Sequence, residues 1–350
     1  MESGIQADVL LCRSKVALGD DERRKLGLFC NVGADDVVAA LDVKNIYEIP
    51  LSYHAQGLDV QVLKHFGMYE TAPEPDLTKW HNIINTMENF EHKVKIGVIG
   101  KYCGLPDTYK SLKEALVHAG IALKTKVDIE WIESETLEDL SEQAFEEKMN
   151  GLAGILVPGG FGARGCEGKI RAIQYARERK VPFFGICLGM QMAVIEACRH
   201  LLGIANANSS ELSKDCTAVI TKMKVWEKDG VKSIRPDNGD LGGTMRLGAY
   251  PCVLKSGSLA QHIYNGASQI EERHRHRYEM DIAWADKLAE KGFVVSGKSP
   301  DGLLPEIVEI PNHPFFIAGQ FHPEFKSKPF AAQPIFKSFI EAALKQTELL

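Results

Sequence analysis

Between residues 93 and 202 the hydrophobic period of this chain switches repeatedly between two and 3.6, and that alternation most narrows the folds open to it. Four short apolar runs read as strands: Val94-Lys95-Ile96-Gly97-Val98-Ile99-Gly100, Val127-Asp128-Ile129-Glu130-Trp131-Ile132, Ala153-Gly154-Ile155-Leu156-Val157 and Val181-Pro182-Phe183-Phe184-Gly185-Ile186-Cys187. Residues 107–118, 137–149, 167–180 and 190–202 read as helices, the third with basic residues in its last turn, where the helix dipole is negative. Strands alternating with helices predict an α/β domain with a central, mostly parallel sheet flanked by helices. Gly-rich β segments follow, then a strand over residues 315–321 and a final helix over 334–345.

The first seventy residues carry a weaker version of the same signal. Residues 7–12 read as a strand, residues 20–25 as an acid-first helix start, residues 28–32 as another short apolar run, and 35–41 as helical. Residues 46–50 read as a third strand or an extended segment. Seventy residues hold too few strands for a self-sufficient parallel sheet, so 1–70 is expected to be the end of a domain. Residues 71–76, punctuated by Pro73 and Pro75, break the pattern, and residues 77–91 have a loose helical spacing. The expected division is therefore 1–70, a linker with a helix over 71–92, and a full domain over 93–350.

Composition excludes several classes. The 350 residues are 45% hydrophobic and 25% charged, with 41 basic against 47 acidic side chains and a net charge of −6. Such a balance supplies no field for nucleic acid or an anionic membrane. No apolar run approaches the roughly 20 residues that span a bilayer. The N-terminal MESGIQADVLLCRSK lacks a basic region and an apolar core, so a cytoplasmic chain without a signal peptide is expected. Eight scattered cysteines with no C-x-x-C pair suggest neither a disulfide framework nor a metal site.

Gly185-Ile186-Cys187-Leu188-Gly189 has the G-x-nucleophile-x-G form of a nucleophile elbow, with an apolar strand before it and a helical pattern after it. A cysteine at that turn projects at the carboxyl edge of the sheet, beside helix N–H groups that favour thiolate. Cys12, Cys30, Cys198 and Cys252 lack this context and read as filler. A thiolate needs a proton partner, and His322 ends a predicted strand with Pro323 and Glu324 after it. Residues i and i+2 of an extended segment share a face, so Glu324 can hold the His322 ring. Alone, H-P-E describes a solvated loop; with the elbow it completes a Cys187–His322–Glu324 triad. Residues 157–162, V-P-G-G-F-G, also follow a strand, and their glycines let N–H groups approach an oxyanion.

Taken together, these motifs resemble the class I (triad) glutamine amidotransferases. The wider pattern is similar to the CTP synthase family, through P-G-G-F-G-A-R-G at 158–165, A-N-S-S-E at 207–211, G-G-T-M-R-L-G at 242–248 and E-R-H-R-H-R-Y-E at 272–279. The resemblance covers essentially the whole chain. It implies that Cys187 attacks the carboxamide of L-glutamine with His322 and Glu324 as partners. It places Gly160 at the substrate and oxyanion, Phe161 beside the glutamine, and Leu188, Gly189, Met190, Gln191, Glu211 and Arg277 around the rest of the amino acid. An ammonium for Glu211 and a carboxylate for Arg277 suit a free amino acid.

For residues 1–70 the resemblance is to the end of that family's ATP-dependent synthetase domain, with Lys25 near the pyrimidine nucleotide and Leu41, Asp42 and Val43 near the adenine. The resemblance implies CTP formation from UTP, ATP and glutamine, with ATP and Mg²⁺ used by the full enzyme, GTP as activator and a homotetramer when complete. No G-x-x-x-x-G-K-[ST] loop occurs in these 350 residues. No cofactor is therefore expected in this chain, glutaminase is its expected activity, and monomer or weak dimer its expected state. Two further readings remain at this point: another triad amidotransferase or γ-glutamyl hydrolase, and a regulatory short form.

Overall fold

The computed structural model describes residues 1–105, 107–222, 225–228, 231–234 and 245–348. Gly242, Gly243 and Thr244 of the 242–248 run lie outside them. The chain divides into two compact units, Met1–Asn89 and Phe90–Leu350.

In the first unit β1 (Leu10–Ser14) and β2 (Val37–Leu41) form a parallel pair, joined through α1 (Asp20–Cys30). The apolar run at 28–32 closes α1, and Asn31 ends it in the left-handed region. The stretch read as a helix over 35–41 is a short turn followed by β2, because Val37, Val38 and Ala39 are wholly buried against a parallel neighbour. Residues 46–50 are also helical, not extended. A turn over Ile46–Glu48 runs into α2 (Ile49–Ala55), where Pro50 sits in the first helical turn and loses no hydrogen bond. After α3 (Leu58–His65), α4 (Thr78–Glu88) belongs to this unit: Asn45 Nδ2 reaches Met87 Sδ at 2.7 Å. The helix expected in a linker thus packs on the residues before it.

The second unit opens with β3 (His92–Gly100), α5 (Lys110–Ala122), β4 (Thr125–Glu133), α6 (Glu142–Met149) and β5 (Gly154–Val157). It continues with α7 (Cys166–Arg179), β6 (Phe183–Ile186) and α8 (Leu188–His200). The helix expected over 137–149 is shorter, because Ser141 caps α6 by accepting from the Ala144 N–H. Short strands β7 (Ala207–Ser209) and β8 (Thr217–Lys222) and the pair β9 (Val225–Lys228) and β10 (Val231–Ile234) follow. Then come β11 (Arg246–Leu254), α9 (Leu259–Ile263), β12 (Gln269–His276), β13 (Tyr278–Met280) and α10 (Ala285–Ala289). β14 (Val294–Lys298), β15 (Pro305–Glu309), β16 (Phe316–Gly319) and α11 (Pro334–Thr347) complete the unit.

Among the described residues the main sheet runs β12-β11-β14-β15-β16-β6-β5-β3-β4. The five strands from β16 to β4 are parallel, and the other four extend the sheet antiparallel. Alternate side chains of the parallel strands feed two cores. Ile155, Val157, Phe183 and Phe316 pack on one face with residues of α6, α7 and α8. Leu156, Phe184 and Ile317 pack on the other with α5 and α11. Helices on both faces are the architecture the alternation predicts, and they leave the carboxyl ends of β5, β6 and β16 side by side. No described helix is long and apolar enough to cross a membrane.

Candidate active site

Those three strand ends carry the residues expected to react. Cys187 stands between β6 and α8 with φ 51° and ψ −100°, a strained conformation for a residue with a Cβ. Its N–H donates to Gly319 O at 2.7 Å, which ties the turn to β16. Small neighbours make the turn possible. A Cβ on Gly185 would lie 2.8 Å from Ala318 Cβ, and one on Gly189 would lie 2.1 Å from Val157 O. The thiol itself is 3% exposed.

Three residues beyond β16, His322 Nδ1 meets Glu324 Oε1 at 2.8 Å, and the ring hydrogen-bonds Cys187. Glu324 reaches the ring from a short helical turn, Pro323–Lys326, rather than along an extended strand. Burial disfavours the charged ring, but hydrogen bonds and charge attraction from Cys187 and Glu324 outweigh it, and its pKa rises to about 10. Gln320 Nε2 lies 3.7 Å from Cys187 Sγ. Gly159 touches both partners: a Cβ there would be 2.7 Å from His322 Cε1 and 3.5 Å from Cys187 Cβ.

Beside the thiol lies a pocket of about 30 Å³ lined by Gly160, Phe161, Cys187, Gln191, Glu211, His276, Arg277 and Tyr278. Five residues expected at glutamine are therefore together with Cys187: Gly160, Phe161, Gln191, Glu211 and Arg277. Burial raises the Glu211 carboxyl above its usual range, against a hydrogen bond from the Gly162 backbone and the charges of Arg277 and Lys101. Gln191 donates to Tyr278 O at 2.8 Å. The side chains of Leu188 and Met190 pack in the core and Gly189 packs on β5, so these three offer the pocket backbone at most. Lys25, Leu41, Asp42 and Val43 lie in the first unit; Lys25 is exposed on α1 and Asp42 pairs with Arg13. His276 and Tyr278 were not foreseen in the pocket, although they flank Arg277 in the basic run. Gln320, two residues before His322, was also missed.

Behind the pocket is a buried charged cluster. Arg246, Glu279, Glu306, His274 and His276 are all at most 2% exposed. Arg246 pairs with Glu306 at 2.5 Å and lies 3.6 Å from Glu279, while His274 Nδ1 meets His276 Nε2 at 2.8 Å. Burial and the Arg246 charge hold both rings well below the usual histidine range. Burial and the Glu306 charge raise Glu279 well above the carboxylate range. Among the described residues no group of three or more His, Cys, Asp or Glu is arranged to hold a metal ion.

Residues 104–342 match the family described as glutamine amidotransferase class-I, and residues 1–68 match CTP synthase N-terminus. The CTP synthase of Zymomonas mobilis subsp. mobilis is 56% identical over 347 residues, which are 99% of this chain and 63% of that protein. The CTP synthases of Bradyrhizobium sp. and Rhodopseudomonas palustris are 54% identical over the same share. The chain thus spans 63% of the length of these curated relatives. A solved structure of the Trypanosoma brucei CTPS glutaminase domain with bound acivicin is 39% identical with a TM-score of 0.65, over 72% of this chain and 94% of that one. A strained cysteine at a strand–helix turn, its histidine partner and these matches agree: the chain belongs to the class I glutamine amidotransferases, within the CTP synthase family.

Proposed function

We propose that this chain hydrolyses L-glutamine at Cys187 and, in the whole protein, supplies the ammonia for CTP formation from UTP and ATP. The observation that carries the first part is Cys187 held in a strained turn against His322, with Glu211 and Arg277 in the adjoining pocket. Arg277 would take the substrate carboxylate and Glu211 its ammonium, presenting the carboxamide carbon to Sγ. Attack of the thiolate forms a C–S bond and an oxyanion facing the N–H groups of the Gly-rich loop and of Leu188, the first residue of α8. His322 gives its proton to the departing nitrogen as the C–N bond breaks, leaving a glutamyl thioester and ammonia. Water, giving a proton back to His322, then cleaves the thioester to glutamate and the free thiol. Glu324 keeps the ring in position through both steps.

The whole reaction, UTP + ATP + L-glutamine to CTP + ADP + phosphate + L-glutamate, belongs to pyrimidine nucleotide biosynthesis. In this reading ATP and Mg²⁺ act in the synthetase part, GTP activates the glutamine step, the complete enzyme is a cytoplasmic homotetramer, and the 350-residue polypeptide assayed alone releases glutamate. Support comes from the 54–56% identity to CTP synthases and from the match of residues 1–68. The test is labelling with an electrophilic glutamine analogue, read by mass on the peptide carrying Cys187, beside a glutamate-release assay with and without GTP. Labelling and turnover should disappear in Cys187→Ala; unchanged labelling of that variant would overturn the assignment.

A further inference from the structure

Lys101 is the residue immediately after β3, and its side chain is only 7% exposed. Its backbone N–H donates to Tyr109 Oη at 3.0 Å, which fixes the root of the side chain. From there Nζ reaches the loop after β5 and donates to two consecutive carbonyls, Phe161 O at 2.9 Å and Gly162 O at 2.8 Å. A buried ammonium is costly unless its hydrogens find acceptors, so the two carbonyls and the lysine hold one another in place.

The loop peptide between Phe161 and Gly162 is gripped at both ends. Among the described residues no peptide bond is cis. In a trans peptide the C=O and the N–H point in opposite directions from one plane. Lys101 holds the carbonyl end, and the Gly162 N–H donates to the carboxylate of Glu211 at the other. Gly162 has a φ of +76°, a conformation that suits a residue without Cβ. Gly160 and Phe161 line the pocket on the same short loop.

We infer that Lys101 is a positioning residue for the glutamine site: it sets the plane of the Phe161–Gly162 peptide, and through that plane the aim of Glu211 and of the loop N–H groups. The inference rests on the proposed glutaminase reading and assigns Lys101 no contact with substrate. Loss of the ammonium frees the carbonyls to turn, which misplaces the acceptor for the substrate ammonium and the donors for the oxyanion together.

The test is Lys101→Met, which keeps an unbranched chain and removes the charge, in three assays on the full 350-residue protein. Hydrogen exchange of the segment 158–164 should speed up more than about tenfold, with α5, β4 and α11 unchanged. Glutamine turnover, kcat/KM, should fall by about 10²-fold, the size of loss that a misplacement of about 1 Å produces, with both KM and kcat affected. Alkylation of Cys187 by iodoacetamide needs no oxyanion donors and should stay within about threefold. Unchanged exchange at 158–164 overturns the inference, as does unchanged turnover with faster exchange. Loss of iodoacetamide reactivity also overturns it, because the lysine would then be supporting the whole site. A parent protein that releases no glutamate overturns the glutaminase reading instead, and the exchange measurement still decides what Lys101 holds.

Discussion

Arg246→Met is the substitution whose consequence can be worked furthest from the structure. Arg246 is 2% exposed, pairs with Glu306, which is 0% exposed, and has Glu279 at 3.6 Å. Methionine fills much of the same volume, so the main loss is the counter-charge. Removing one partner of a buried pair costs about 3–5 kcal/mol, because the other is left charged and unpaired. For a unit of this size each kcal/mol moves the melting point by about 2–4 °C, so the amidotransferase unit should melt roughly 6–20 °C lower. The deficit should depend on pH. Burial already lifts Glu306 to about 6 against the pull of Arg246, and without Arg246 it rises further above its unfolded value of about 4.3. Stability from a carboxyl raised in this way is present below the unfolded pKa and is lost as pH rises through the folded one. The variant should therefore be closest to the parent near pH 5 and furthest from it near pH 8. Glu279, His274, His276 and Asp301 face the same cluster; loss of the Arg246 charge shifts Glu279 and the two rings upward as well, which also favours the variant at the lower pH. Thermal melts at the two pH values measure this. Adding Glu306→Gln should recover at least half of the loss at pH 8. A single variant melting within about 2 °C of the parent at pH 8, or a double variant no better than the single, would refute the buried-charge argument.

Three further outcomes are expected. Gly159→Ala puts a methyl 2.7 Å from His322 Cε1, so glutamate release should fall by about 10²-fold while circular dichroism is unchanged; activity within threefold of the parent would count against the close Gly159–His322 approach. The His322 ring, raised from about 6.5 to about 10, contributes stability that is complete below the lower value and lost as pH passes the upper one. Glu324→Gln should shift that loss and the ring's deprotonation to lower pH, and an NMR titration of the histidine with an unmoved midpoint would contradict the pairing. Gly189→Ala drives a Cβ to 2.1 Å from Val157 O, between rigid elements, so the variant should be destabilised by about 1–3 kcal/mol or more, read as a lower melting temperature.

The division between what was legible in the chain and what was not follows the range of the forces involved. β5 and β6 were readable because burial on two faces makes each a nearly continuous apolar run, and β4, at the sheet edge, because its apolar and charged residues alternate. Cys187 was readable because a nucleophile elbow needs small residues at fixed offsets from it, and His322–Glu324 because the partners are two residues apart. The elements whose type was misread fall in the first unit. Asp35 and Asp36 imitate a helix start, and only pairing with β1 shows that Val37–Leu41 is a strand. Ile46–Pro50 lacks period-two alternation, and a proline inside the first turn of a helix looks the same in sequence as one that ends a strand.

The sequence by itself determined the fold class and pointed to Cys187 at its turn and to the His322–Glu324 pair, since each rests on periodicity or on spacing within a few residues. Only the tertiary structure decided which residues meet Cys187 from far along the chain. Gln320 reaches Sγ across 133 positions, Lys101 reaches the Gly-rich loop across 60, and His274, His276 and Arg246 come together in the buried cluster behind the pocket. It also decided that Leu188 and Met190 turn into the core while Gln191 turns to the pocket. The physical reason is that such contacts carry no local signature. They exist once the sheet has brought its strand ends together, and the cost of burying a polar group there is met by partners that the sheet order, not the neighbouring sequence, supplies.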